Sequence, residues 1–190
     1  GIERRSPSSY HRAASRAVGL NDVGEGRTTA ERQRVYDNIL ETIGDTPIVR
    51  LNRVAAGFQA QLYAKLEFMN PGGSVKDRIA RAMIEAARAD GSLQPGQTIL
   101  EPTSGNTGLA LALMGRIYGH PVHCVMPASV SVERRDVLTF FGAEVTLSPG
   151  ERDSNGAIAM AKELHAKDPS AFMPMQYENA DNPGAHYKTT

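Results

Sequence analysis

The sequence predicts an α/β fold that is built on a mainly parallel sheet. From residue 39 onward, short apolar or alternating segments bounded by turn residues alternate with longer segments in which apolar residues recur at helical spacing. The segment 122–126 is almost continuously apolar, which is typical of a strand that is buried on both faces. Strands and helices that alternate at this spacing indicate βαβ units, in which neighbouring strands run parallel.

The individual elements follow from these patterns in chain order. Ser74 and Asp77 form the S-x-x-D pattern of a capping box, which predicts where the first long helix begins, and Gly91 predicts where it ends. A short helix is also expected over 28–36. The predicted strands cover 47–51, 62–68, 98–100, 122–126, 144–147 and 171–175, and the predicted helices after them cover 75–90, 109–114, 131–141 and 155–166.

Composition restricts the classes of partner. The 190 residues are 41% hydrophobic, which is enough for the core of one domain or slightly more. Basic and acidic residues number 21 each, so the zero net charge gives no electrostatic reason to expect nucleic acid or an anionic membrane as a partner. No apolar run approaches the roughly 20 residues that a membrane-spanning helix needs. We therefore expect a cytoplasmic protein.

The first 36 residues differ from the rest of the chain. They are rich in arginine, serine, glycine and alanine, and they show no sustained hydrophobic period. We interpret 1–36 as a disordered or leader segment. Its arginine and serine content also fits the remnant of an organelle transit peptide, which leaves an organelle as a second possible location.

Several reactive residues carry no predicted site. Cys124 is the single cysteine, which excludes an internal disulfide framework, and its place within a strand predicts a small buried hydrophobe. The five histidines lack metal-binding spacing, so we predict no metal site. The charged run Glu133, Arg134 and Arg135 is expected to form a solvated helix face.

The loop 70–78 is the first candidate for chemistry. Gly72 and Gly73 precede a helix start, where they let backbone N–H groups converge on a ligand. Lys76 lies in the first helical turn, where the helix macrodipole disfavours an ammonium and favours the neutral amine that attacks an aldehyde. Taken alone, the pattern favours a solvated lysine over a catalytic one, because most lysines at helix starts are solvated.

The loop 101–108 is the second candidate. It runs from a strand end into a helix N-terminus, the position at which open α/β sheets bind ligands. Its hydroxyl and amide side chains fit a cradle for a carboxylate or a phosphate, and they fit a polar helix cap as well. The sequence matches neither G-x-x-x-x-G-K-[ST] nor G-x-G-x-x-G, so nothing here supports nucleotide binding.

Both loops together resemble the signature of the cysteine synthase and cystathionine β-synthase family. The matching residues are N-P-G-G-S-V-K-D-R at 70–78 and E-P-T-S-G-N-T-G at 101–108, and the likeness extends over about 38–190. The resemblance implies a type II pyridoxal-phosphate fold (tryptophan-synthase-β-like), with three-layer, parallel-sheet domains. It also implies that this chain is the N-terminal portion of such an enzyme.

The resemblance assigns roles to individual residues. Lys76 would hold pyridoxal 5'-phosphate as the Schiff-base lysine and act as the catalytic base, and Asn106 would contact the ring hydroxyl oxygen of the coenzyme. The residues that would bind the substrate's α-carboxylate are Thr103, Ser104, Thr107 and Gln176. A family member of this kind forms L-cysteine from an activated serine, either O-acetylserine or O-phosphoserine, and sulfide, and acts as a homodimer.

Two alternatives remain open at this point. One is a cystathionine β-synthase-type condensation of serine with homocysteine, and the other is a non-catalytic, truncated paralogue that acts by binding. The resemblance also implies a domain plan. Residues 37–68 would begin the large coenzyme domain, 69–180 would form the small α/β domain, and 181–190 would return to the large one. The family's phosphate-binding half would follow residue 190, so we expect the isolated chain to bind the coenzyme poorly.

Overall fold

A three-stranded parallel sheet organises the described part of the chain. The computed structural model describes residues 34–190. Its sheet has the order β3 (Ile99–Pro102), β4 (Val122–Pro127), β5 (Glu144–Ser148), and both strand pairs are parallel. Strands that are successive in sequence are therefore neighbours in space, as βαβ units require. The predicted parallel sheet is confirmed.

Helices cover both faces of this sheet. Ile99, Cys124 and Met126 point into a core that the first two long helices complete, whereas Leu100 and Val125 point to the opposite side. The helix after the third strand packs on that opposite side. The result is the three-layer arrangement that was expected. The helices are α1 (Lys76–Asp90), α2 (Asn106–Tyr118), α3 (Val132–Phe140), α4 (Asp153–Lys167) and α5 (Asp181–Thr189).

The first long helix begins close to the predicted residue but without the predicted capping box. The side-chain oxygen of Ser74 accepts the N–H of Lys76 at 3.1 Å. The Asp77 carboxylate does not reach back to Ser74; it accepts the N–H of Gly72 at 2.5 Å. The aspartate is thus used to fold the glycine turn before the helix. The helix ends where predicted, at Gly91 with φ 82°, a left-handed conformation that glycine adopts readily.

A separate antiparallel pair precedes the parallel sheet. β1 (Ile48–Arg50) pairs with β2 (Tyr63–Lys65). The prediction that the second strand reaches residue 68 is wrong, because Glu67–Met69 forms a 3-10 helix. That turn directs the Glu67 carboxylate toward a buried arginine of α1, which explains why the strand stops early.

The last predicted strand is also wrong over most of its length. Of residues 171–175, only Phe172 pairs with the sheet, through a parallel bridge to Ile99. Pro174 has no N–H to donate, and Met175 has a left-handed φ of 52°. The helix α5 was not predicted, since Pro183 and Gly184 lie inside it.

Residues Tyr36–Thr190 form one compact unit. The assignment of 37–68 and 69–180 to different domains stays a prediction. The helix expected over 28–36 and the proposed leader 1–36 fall almost entirely outside the described residues. In the part of the chain that the structure describes, no helix is long and apolar enough to cross a membrane.

Candidate active site

One cleft of about 280 Å³ brings together residues from both predicted loops. It lies at the carboxyl end of β3, between the start of α1 and the start of α2. All six residues singled out from the sequence line it. They are Lys76, Thr103, Ser104, Asn106, Thr107 and Gln176, and Gly105, Arg134 and Tyr177 complete the lining.

Lys76 and Asn106 are both open to a ligand in this cleft. Lys76 is half-buried at the first position of α1, and Asn106 is exposed at the first position of α2. Within residues 34–190, neither side chain has a hydrogen-bond partner, although both carry strong polar groups. An amine and an amide are therefore available on facing helix starts.

The turn before Lys76 is held by hydrogen bonds to buried polar side chains. Asn70 accepts the N–H of Gly44 at 2.9 Å and donates to the Glu67 backbone oxygen at 2.8 Å. Asp77, which is fully buried, accepts the N–H of Gly72. Burial raises the pKa of the Asp77 carboxyl, and the Gly72 hydrogen bond opposes that shift. These bonds explain why asparagine and aspartate flank the glycine pair.

An ion pair between Arg78 and Glu67 holds the first turn of α1, which carries Lys76. The Arg78 Nε donates to Glu67 Oε2 at 2.7 Å, and its Nη2 donates to Glu67 Oε1 at 2.9 Å. The same guanidinium donates to the Thr46 hydroxyl at 3.0 Å and to the Thr189 backbone oxygen at 2.5 Å. The hydrogen bond from Arg78 is the largest influence that lowers the pKa of Glu67, to about 2. Glu67 therefore stays ionised and Arg78 stays paired.

The loop after β3 is held partly by its own threonine. The Thr103 hydroxyl oxygen accepts the N–H groups of Gly105 and Gly108, both at 3.2 Å. Thr103 is buried, so its oxygen serves as a cap for α2 and only its hydroxyl proton remains for a ligand. Gly108 permits this close approach, because a Cβ there would lie 2.7 Å from the Thr103 methyl group.

Gln176 reaches the cleft from the segment that leaves the sheet. The Thr107 hydroxyl donates to Gln176 Oε1 at 2.6 Å, and Gln176 Nε2 donates to the Pro102 oxygen across a long 3.4 Å. Both Thr107 and Gln176 are buried. The amide nitrogen of Gln176 therefore keeps donor capacity for a ligand in the cleft.

Glu101 is a residue of this region that sequence reasoning passed over. Its side chain is fully buried, and its two oxygens accept the N–H groups of Met175 at 2.8 Å and Gln176 at 3.0 Å. Burial raises the pKa of the Glu101 carboxyl to about 7, against the opposing effect of these hydrogen bonds. The sequence signal was an acidic residue within the otherwise apolar strand Ile99–Pro102.

Arg134 is a second residue of the cleft whose place in the lining was not predicted from the sequence. It is exposed, but its Nη1 donates to the backbone oxygen of Ser104 at 3.2 Å and it lines the cleft. The predicted solvated helix face is confirmed at this position, and the sequence did not predict that Arg134 also lines the cleft, where α3 begins beside the start of α2.

Cys124 lies beside Glu101 in the sheet register. It is fully buried, and burial, with a further contribution from Glu101, raises the pKa of its thiol to about 12. The prediction of a small buried hydrophobe is confirmed. Among residues 34–190, no group of three or more histidine, cysteine, aspartate or glutamate side chains is arranged to hold a metal ion.

Known proteins share both the sequence and the fold. The family described as "Pyridoxal-phosphate dependent enzyme" matches residues 39–190. A probable cysteine synthase of Bacillus subtilis (strain 168) is 50% identical over 157 residues, which are 83% of this chain and 50% of that protein.

Solved structures agree with this likeness. The crystal structure of cysteine synthase from Entamoeba histolytica matches with a TM-score of 0.78 and 42% identity, over 82% of this chain and 48% of that one. The O-acetylserine-dependent cystathionine β-synthase from Helicobacter pylori matches with a TM-score of 0.77 and 36% identity, over 83% and 52%. The chain thus spans about half the length of the relatives it matches.

Proposed function

The chain belongs to the family of pyridoxal-phosphate-dependent enzymes, and on that premise we propose that it supplies the lysine and the amino-acid-binding side of an active site that forms L-cysteine from an activated serine and sulfide. The activated serine is O-acetylserine or O-phosphoserine. The observation that carries the proposal is the meeting of Lys76, Asn106 and Gln176 in one cleft.

The residues present fit the coenzyme. When bound, pyridoxal phosphate supplies an aldehyde that combines with amines and a ring that withdraws electrons from an amino acid's α-carbon. Lys76 offers the amine, and Asn106 offers an amide to an oxygen substituent of the ring. Both side chains line the cleft, and within residues 34–190 neither has a hydrogen-bond partner, so both are free to bind a ligand.

The other side of the cleft suits an α-carboxylate. Gln176 Nε2 and the Ser104 hydroxyl can donate to its oxygens, and Thr103 retains one hydroxyl proton for the same purpose. Thr107 holds the Gln176 amide in one orientation, because its hydroxyl donates to Oε1 at 2.6 Å. A carboxylate fixed by several donors orients the α-hydrogen of the amino acid.

Lys76 is the group that we assign to the α-proton. The neutral amine is a base, and it lies in the same cleft as the proposed carboxylate donors. Removal of that proton allows the oxygen-linked group to leave the β-carbon, after which sulfide forms the new carbon–sulfur bond. The proton returns to the α-carbon from the same lysine. In the full-length protein, we propose that this unit works as a homodimer.

One finding supports a second candidate reaction, as an alternative to the first. A structural neighbour of similar quality is named an O-acetylserine-dependent cystathionine β-synthase, so homocysteine is the alternative nucleophile. A non-catalytic role through binding is the third possibility, and the retention of Lys76, Asn106 and Gln176 in one cleft argues against it.

The experiment that tests the proposal locates the coenzyme chemically. The protein that includes the family's phosphate-binding half is incubated with pyridoxal phosphate, reduced with borohydride and digested, and mass spectrometry identifies the modified lysine. We expect modification at Lys76, its loss in Lys76→Ala, and no change in Lys162→Ala, whose lysine is exposed and pairs with Glu178 at 3.0 Å. Equal labelling of Lys76 and Lys162 contradicts the assignment.

The nucleophile is settled by product analysis. The coenzyme-loaded protein that includes the family's phosphate-binding half is given O-acetylserine or O-phosphoserine, each with sulfide or with homocysteine, and the products are separated by mass. Cysteine as the main product supports the proposal, and cystathionine as the main product favours the alternative.

A further inference from the structure

We infer that Glu101 is a positioning residue, which holds the backbone of Met175 and Gln176 against the end of β3 and thereby sets where the Gln176 amide stands in the cleft. The inference rests on the proposed function of Gln176 in binding the α-carboxylate. Glu101 does not itself line the cleft, so its effect passes through the segment that it holds.

The geometry of Glu101 is that of a two-pronged acceptor. Oε2 accepts the N–H of Met175 at 2.8 Å, and Oε1 accepts the N–H of Gln176 at 3.0 Å. An ionised carboxylate can only accept hydrogen bonds, so both of its oxygens are suited to two consecutive backbone donors. The side chain is fully buried, which shields both bonds from competition with water.

The segment needs such a support because it leaves the sheet. Its pairing with β3 ends at Phe172, whose N–H donates to Thr98 and whose oxygen accepts from Leu100. Pro174 has no N–H, and Met175 adopts a left-handed φ of 52°, a conformation that is unfavourable for a residue with a side chain. The Glu101 carboxylate therefore takes the place of a neighbouring strand for Met175 and Gln176, whose N–H groups it accepts.

Glu101 lies two residues before Thr103, one of the proposed carboxylate donors at the end of β3. Pro102, next to Glu101, accepts from Gln176 Nε2, and Thr107 fixes the other end of that amide. The backbone and the side chain of Gln176 are thus held by separate groups. If the backbone bond is lost, the amide keeps its contact with Thr107 but is no longer held in one position, and a displacement of about 1 Å is enough to weaken a positioned interaction markedly.

Stability alone does not explain why a carboxylate stands here. No cation is hydrogen-bonded or ion-paired to Glu101 among residues 34–190, and a buried carboxylate without a counter-charge is unfavourable. Its raised pKa reflects that penalty. A neutral side chain of the same shape would avoid it, so the carboxylate is better explained by the two N–H groups that it holds.

The test compares Glu101→Gln with Glu101→Asp and with the matched surface change Glu163→Gln on α4, which is exposed. Hydrogen exchange of individual backbone amides is followed by NMR. We expect the protection of Met175 and Gln176 to fall by about tenfold or more in both Glu101 variants, with the amides of β4 unchanged. Unaltered protection of these two amides overturns the inference, whatever the protein binds.

Amino-acid binding then tests the path through Gln176. O-acetylserine affinity is titrated in the coenzyme-loaded protein that includes the family's phosphate-binding half, as the wild type, Glu101→Gln, Gln176→Ala and the double variant. Coenzyme affinity is measured alongside. We expect Glu101→Gln to weaken O-acetylserine binding by about tenfold, to leave coenzyme affinity unchanged and to have little further effect when Gln176 is already alanine.

The outcomes separate the two proposals. Fully additive losses in the double variant overturn the positioning role while the proposed function stands. Lack of O-acetylserine binding by the wild type refutes the proposed function, and the exchange of the Met175 and Gln176 amides still decides whether Glu101 holds that segment.

Discussion

Two glutamates hold the two sides of the cleft, and they do so by opposite means. One side of the cleft carries Lys76 and is called the lysine side. There, Glu67 is paired with the Arg78 guanidinium at 2.7 Å, and the pKa of Glu67 is lowered to about 2. The other side carries Thr103, Ser104 and Gln176, the proposed donors to the substrate's carboxylate, and is called the carboxylate side. There, Glu101 has backbone N–H groups as partners, and burial raises the pKa of Glu101 to about 7. The same type of side chain thus stays charged throughout the physiological pH range in one place and titrates near neutral pH in the other.

The difference shows what each side of the cleft requires. Arg78 and Glu67 tie α1, the 3-10 helix that follows β2, and the last turn of α5 together, because one guanidinium reaches all three. This side is held by charge and is insensitive to pH above the ordinary carboxyl range. The carboxylate side is held by an acceptor whose ionisation changes within the physiological range.

Removal of Arg78 is the strongest way to break the lysine side. Arg78→Met leaves the Glu67 carboxylate partly buried without its partner, and we expect the free energy of unfolding to fall by about 3–5 kcal/mol. The measurement is urea denaturation at pH 7. The matched control is Arg81→Met, one turn along α1, whose arginine is partly exposed and pairs with Glu85. Its loss should amount to about 1 kcal/mol or less. Equal losses in the two variants would show that the Arg78–Glu67 pair stabilises the protein no more than the partly exposed Arg81–Glu85 pair does.

Acid should act next most strongly, and on Glu67. Its folded pKa of about 2 lies below the ordinary 4.5, so its contribution is fully present above pH 4.5 and is lost as the pH falls toward 2. We expect about 3 kcal/mol from this group over that window. Urea denaturation at pH 6, 4 and 3 measures it, and Glu67→Gln should lack this part of the acid dependence. A variant with the same dependence as the wild type contradicts the assignment.

Glu101 should show the opposite sign in a different window. Its folded pKa of about 7 lies above the ordinary 4.5, so its contribution is fully present below pH 4.5 and is lost as the pH rises to 7. Cys124 faces it from β4 and stays neutral, since its pKa is about 12. We expect about 2–3 kcal/mol between pH 4.5 and 7.5.

The check for Glu101 is the difference between wild type and Glu101→Gln. The variant should remove this decline, so the two unfolding free energies should converge or cross as the pH rises. Parallel curves would mean that the carboxyl titrates in its ordinary range.

The sequence predicted the parallel sheet and both loops because apolar period and loop composition are local properties. It predicted the C-terminal end of α1 at Gly91 for the same reason. It could not predict the stop of the second strand at Lys65, since that depends on Arg78 being buried beside Glu67, or the departure of the last segment, which depends on Glu101. Arg134 shows the same limit, because its place in the cleft depends on how α3 meets α2.

A glycine in the carboxylate side offers the smallest and most local perturbation. The Cβ of Gly108→Ala would lie 2.7 Å from the Thr103 methyl group and 3.1 Å from the Cys124 sulfur. We expect the free energy of unfolding to fall by about 1–2 kcal/mol, because buried neighbours must move. Gly184→Ala on α5 is the control, since its Cβ meets nothing within 4 Å, and alanine there should be neutral or slightly stabilising.

Because Thr103 caps α2 beside the proposed carboxylate site, Gly108→Ala should also weaken O-acetylserine binding while coenzyme labelling of Lys76 is unchanged. If O-acetylserine binding and the labelling of Lys76 fell together, the two sides of the cleft would not be independent. The side held by Glu67 and the side held by Glu101 would then behave as one cooperative unit.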